Sequence, residues 1–85
     1  MKIFYTKKFN REYKKINKDL KLTAESKELI FRKDPFSRTL KTHKLSGELE
    51  GFWSFSVDYK NRVVFEFISA EVVFFHTIGD HDVYK

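Results

Sequence analysis

Phe52-Trp53-Ser54-Phe55-Ser56-Val57-Asp58-Tyr59, then Lys60-Asn61, then Arg62-Val63-Val64-Phe65-Glu66-Phe67-Ile68, is the stretch that decides the fold. Trp53, Phe55, Val57 and Tyr59 alternate with Ser54, Ser56 and Asp58, the period of a strand with one apolar and one polar face. Lys60-Asn61 suits a tight turn. Val63, Phe65 and Phe67 then resume the alternation, and Ser69-Ala70-Glu71 supplies a second reversal. Val72-Val73-Phe74-Phe75 is apolar throughout, as expected of a central strand covered on both sides. Three strands joined by short turns predict an antiparallel meander.

Toward the N-terminus the period lengthens. Ile3-Phe4-Tyr5 reads as a short strand, and Thr6 as the cap of a helix whose apolar positions Phe9, Tyr13, Ile16 and Leu20 recur every three or four residues. A second helix fits residues 23–33, capped by Thr23 and stopped by Asp34-Pro35. The pair predicts a two-helix hairpin packed on the sheet, with a loop-like segment from Thr39 to Gly47 before the meander. The order β-α-α-β-β-β is α+β, in one domain spanning residues 1–85.

Composition narrows the function classes. At 85 residues, roughly two-thirds of the unfolded chain's surface can be buried, so stability is modest and partner binding matters. The absence of cysteine excludes disulfides and thiolate chemistry and points to a reducing compartment. Apolar runs are too short to cross a membrane and residues 1–7 lack a secretion signal, so a cytoplasmic protein without a membrane partner is expected. The net charge of +5 conceals an asymmetry. Residues 1–44 carry 14 Lys/Arg against 5 Asp/Glu, and residues 45–85 carry 3 against 7. A basic half of this strength suits a polyanion or an acidic protein segment.

Several residues invite chemistry. Arg62, early in its strand, can clamp a phosphate in bidentate fashion or pair with Glu66 or Glu71. His43-Lys44 can reach across a sheet edge or sit on a surface loop. His76 ends the apolar strand, in a structural or a catalytic role. Asp80 or Asp82 can orient His81, and Tyr84 can stack on a base or donate a proton. Trp53 and the ten phenylalanines read as core. Asp80-His81-Asp82 lacks metal-ligand spacing and no phosphate-binding glycine loop is present, so neither metal nor other cofactor is expected. A cation, imidazoles and a phenol together are the groups that cleave RNA without metal: a base frees the ribose 2′-oxygen to attack phosphorus, a cation stabilises the phosphoryl charge, and an acid protonates the leaving 5′-oxygen.

Three segments carry a resemblance. Leu45-Ser46-Gly47-Glu48-Leu49-Glu50-Gly51-Phe52-Trp53-Ser54 resembles an "L-x-G-x-L-x-G-x-W-S" element of the RelE/ParE superfamily of type II toxin–antitoxin toxins. Asp58 to Phe65 resembles its "Y-R-(I/V)-(I/V)-(F/Y)" strand, with Arg62 at the arginine. Ile78 to Tyr84 resembles its closing "I-G-x-H-x-x-V-Y", with one residue fewer between His81 and Tyr84. Phe55-Ser56 also departs, standing where one subgroup has two arginines. The resemblance implies a microbial-RNase-like sheet and an endoribonuclease that cleaves translated mRNA in the ribosomal A site, silenced by a cognate antitoxin. It implies His43, Arg62, His81 and Tyr84 as catalytic residues, with Lys44, Lys41 and His76 as RNA contacts. DNA is expected only indirectly, through a toxin–antitoxin repressor complex. The alternatives on the same fold are a ParE-like poison of DNA gyrase, in which His81 and Tyr84 are structural or interfacial, and a degenerate toxin acting only as a binding module.

Overall fold

A computed structural model describes residues 1–84, except the side chains of His81 and Asp82. The chain runs β1 (Lys2–Tyr5), α1 (Lys7–Lys15), α2 (Lys18–Lys33), β2 (His43–Lys44), β3 (Trp53–Ser56), β4 (Arg62–Phe67) and β5 (Val72–Gly79). Short 3-10 turns lie at Arg38–Leu40, Gly47–Leu49 and His81–Tyr84. The class is α+β, and β3, β4 and β5 form the predicted antiparallel meander. The sheet is wider than the meander: its order is β1-β5-β4-β3-β2, with β1 parallel to β5 and β2 antiparallel to β3.

Four boundaries differ from the sequence expectation, one of them the end of β5, which runs through His76 to Gly79 because Val63 and Arg62 pair with Ile78 and Gly79. The first helix ends at Lys15, because Ile16 is extended (ψ 156°) and the Asn17 side chain accepts a bond from the Leu20 amide, capping a second helix that begins at Lys18. Thr23 therefore lies inside α2 and donates to the Asp19 carbonyl, one turn back. Strand β3 stops at Ser56 rather than Tyr59, because the Val57 amide bonds the Asn61 carbonyl and closes the hairpin there. The Thr6 cap is as expected: its hydroxyl accepts from the Phe9 amide (3.0 Å) and also donates to the His76 carbonyl (2.8 Å), tying α1 to β5.

One sheet face packs against the helices. Phe31 of α2 is wholly buried against Phe55, Phe65 and Phe75, at ring-centroid distances of 5.1, 4.9 and 5.4 Å. Four of the ten phenylalanines fall outside the expected core: Phe52 and Phe74 are half-buried beside His76, and Phe4 and Phe36 are exposed. Phe4, on the edge strand, is 47% exposed and stacks on Phe74, and Phe36, just past α2, is 56% exposed against Trp53. No helix among the described residues is long and apolar enough to cross a membrane.

Candidate active site

Three of the candidate residues, His43, Arg62 and Tyr84, lie on the sheet face turned away from the helices. Directly paired residues of neighbouring strands share a face. His43 pairs with Ser54, Ser54 with Val64, and Ser56 with Arg62, so these positions lie together opposite the aromatic core. Ser54 is fully buried, and its hydroxyl shares a 2.8 Å hydrogen bond with the Tyr84 hydroxyl. The last turn thus returns over the sheet and brings Tyr84 to β3. With strands about 4.8 Å apart and a rise of about 3.3 Å per residue, the His43 and Arg62 backbones stand about 12 Å apart, room for a phosphodiester between two side chains.

Arg62 is held by its own hairpin. Its Nη1 donates to the Asp58 carbonyl (2.6 Å) and the Asn61 carbonyl (3.1 Å), and neither bond uses Nε or Nη2. The expected ion-pair alternatives do not form: Glu66 pairs with His76, and Glu71 with the N-terminal amine. The Asp58 carboxylate accepts from the Lys60 amide (2.9 Å) and the Asn61 amide (2.6 Å). Burial pushes its acidity the other way, but these amide bonds, the Asn61 side chain and the Arg62 charge hold its pKa below the ordinary aspartate value. Tyr59, Lys60, Arg62 and Tyr84 line an open hollow of about 420 Å³.

His43 is exposed on the two-residue edge strand β2, within the segment expected to be loop-like. Its Nδ1 lies 3.1 Å from the Lys41 carbonyl. A carbonyl can only accept, so Nδ1 is the donor in this contact and Nε2 is left for another partner. Lys41 takes the left-handed conformation (φ 53°), and the Lys44 amine lies over Trp53, 5.5 Å from its ring centroid. His76 is the extra residue where β5 bulges: Val64 pairs with Thr77 but Phe65 with Phe75. Its Nε2 donates to Glu66 (3.0 Å), and its ring packs against Phe52 and Phe74. The structure therefore brings Arg62 and Tyr84 to one hollow, and keeps His43 across β3 from it. His76 sits in a separate aromatic cluster. The orientation of His81 by Asp80 or Asp82 lies outside the described side chains.

Residues not singled out from the sequence matter here. Ser54 read as one more polar residue of an alternating strand; the signal was its place at the end of the "W-S" element. Glu12 of α1 accepts from the Thr77 hydroxyl (2.7 and 2.9 Å) and the Ile78 amide (3.1 Å), fixing the end of β5 just before the turn that carries Tyr84. No pattern in a lysine-rich helix marks it. Among the described residues no cluster of three or more acidic or histidine side chains is placed to hold a metal ion.

No family model and no curated protein sequence matches this chain. Solved structures do. A YoeB/ParE toxin from Agrobacterium tumefaciens superposes with a TM-score of 0.80 at 19% identity, covering 95% of this chain and 99% of that one. YafQ from E. coli gives 0.72 at 18% identity over 98% and 96%. The toxin–antitoxin complex YoeB–YefM from Staphylococcus aureus gives 0.77 at 16% identity over 95% and 97%.

Proposed function

From this premise, that the chain has the fold of the RelE/ParE-superfamily toxins, we propose that it is the toxin of a type II toxin–antitoxin pair. It is a ribosome-dependent endoribonuclease that cleaves translated mRNA in the A site by metal-independent attack of the ribose 2′-hydroxyl. The observation that carries this reading is the hollow in which Arg62 and Tyr84 meet, beside a buried Ser54 that holds the tyrosine.

The chemistry follows from the donors. Arg62, with Nη1 engaged by the hairpin, offers Nε and Nη2 to the phosphoryl oxygens and stabilises the charge that builds there. Nε2 of His43 takes the 2′-hydroxyl proton. His81 supplies the complementary acid, and Tyr84 positions the nucleotide through its bond to Ser54. Lys44, Lys41 and His76 bind the strand on either side. The toxin–antitoxin assemblies of YafQ with DinJ and of YoeB with YefM support a cognate antitoxin for this chain. An extended acidic segment complements the basic first half.

A translation reaction programmed with a defined mRNA tests the reading. Wild-type protein is expected to cut the message only when ribosomes translate it. Arg62→Ala is expected to lower the rate by about 10²–10³-fold, the effect of losing one preorganised donor at a developing anion. Equal rates with a folded variant, or trapped gyrase–DNA complexes without new mRNA ends, would overturn it.

A further inference from the structure

We infer that Tyr59 and Lys60, at the tip of the β3–β4 hairpin, form with Arg62 and Tyr84 a subsite for the nucleotide next to the cleaved phosphate, its base stacked on Tyr59 and its phosphate held by Lys60. The inference rests on the nuclease reading and names substrate contacts within it. Tyr59 is 91% exposed, far more than any other large apolar side chain among the described residues. It contributes nothing to the core, and it lines the hollow with Lys60, Arg62 and Tyr84, its ring open to a stacking partner.

The ring stands on a stiff support. Asp58 accepts from the backbone amides of both residues that follow Tyr59 toward the strand, Lys60 and Asn61, and from the Asn61 side chain (3.2 and 3.3 Å). Arg62 clamps the Asp58 carbonyl from the far side of the turn. A platform fixed in this way loses little freedom when a base stacks on it. Charge is concentrated in the same place. Residues 45–85 hold only three basic residues against seven acidic ones, and two of the three, Lys60 and Arg62, line this hollow together with two tyrosines. Two cations gathered in an acidic half beside two aromatic side chains match a phosphate joined to a base. An acidic protein segment would use the cations but has no need of a flat, fully open ring.

The test uses the full chain and a short fluorescent single-stranded RNA with 2′-O-methyl riboses, which cannot be cleaved. Anisotropy titrations compare wild type with Tyr59→Ala, Tyr59→Phe, Lys60→Ala and Arg62→Ala. Tyr59→Ala is expected to weaken binding about tenfold, about 1.4 kcal/mol, with an unchanged melting temperature. Tyr59→Phe, which keeps the π-face, should bind as wild type. Lys60→Ala should weaken binding and lower the salt slope by about one. If Arg62→Ala loses affinity while Tyr59→Ala does not, the subsite is wrong and the nuclease reading stands. Equal losses in Tyr59→Ala and Tyr59→Phe would exclude stacking. Wild type that binds no RNA would overturn the subsite, while the nuclease reading stands or falls on the translation reaction. Tyr59→Ala that keeps RNA but loses the antitoxin would make the hairpin tip a protein interface.

Discussion

The two sides of this molecule divide charge from chemistry. The helix layer carries 10 of the 17 basic residues, yet it meets the sheet through a cluster of aromatic rings. The opposite sheet face has few cations, but there Arg62 and Tyr84 meet in one hollow beside Ser54, with His43 across β3 from them. Counting lysines directs attention to the helices, whereas hydrogen-bond geometry directs it to the other face. Diffuse positive charge speeds encounter with a polyanion; cleaving one needs a few groups held rigidly, which the strands and their hairpin provide.

Substitutions on each side sharpen this division. The largest loss of stability is expected at Phe31→Ala, which empties the centre of the helix-facing core and should cost about 3–5 kcal/mol by urea denaturation. A loss under about 1 kcal/mol would mean the helices are only loosely docked. Next is Glu12→Ala, which strands the Thr77 hydroxyl and the Ile78 amide, at a cost of about 1–3 kcal/mol. Glu12→Gln keeps an acceptor and should lose less; equal losses would show that the carboxylate charge, not acceptance, matters.

Ser54→Ala removes the partner of the Tyr84 hydroxyl, and about 1 kcal/mol of stability should go with it. RNA cleavage should fall further than stability does. If cleavage is unaffected, Tyr84 does not depend on this anchor.

The smallest effects are those of pH, and they too separate the faces. Asp58 has a depressed pKa in the folded protein, so its stabilising bonds are fully present above the ordinary aspartate value and are lost as pH falls through the folded value. Asp58→Ala should flatten the acid limb of a stability–pH curve. On the helix side, burial and then the bond to Glu28 push Tyr5 up to about 12. Its contribution is complete below the ordinary tyrosine value of 10.0 and is lost as pH rises to about 12. Tyr5→Phe should flatten the alkaline limb and leave the acid limb unchanged.

Local patterns explain which of these features could be read from the sequence. The meander was legible because alternation and turn residues act within a few positions of each other, and so was the Thr6 cap. The parallel pairing of Lys2–Tyr5 with Val72–Phe75 was not, since no local signal links strands separated by most of the chain. Phe9, Tyr13, Ile16 and Leu20 keep a helical spacing across the break at Ile16-Asn17, so periodicity hid the boundary that the Asn17 cap sets. Two-residue β2 is too short to show a period. In the site, Arg62 and Tyr84 stood out by residue type. Ser54, Glu12 and the exposed Tyr59 did not, because their roles depend on what lies across the sheet, under the helix or at the hairpin tip.

The most direct measurement is an amide-resolved NMR titration of the full chain with the uncleavable RNA. The division of labour predicts perturbed signals at residues 43–44, 54, 58–62 and 84, with smaller, salt-sensitive changes along α1 and α2. Perturbations confined to the lysines of the two helices, with the opposite sheet face silent, would contradict it.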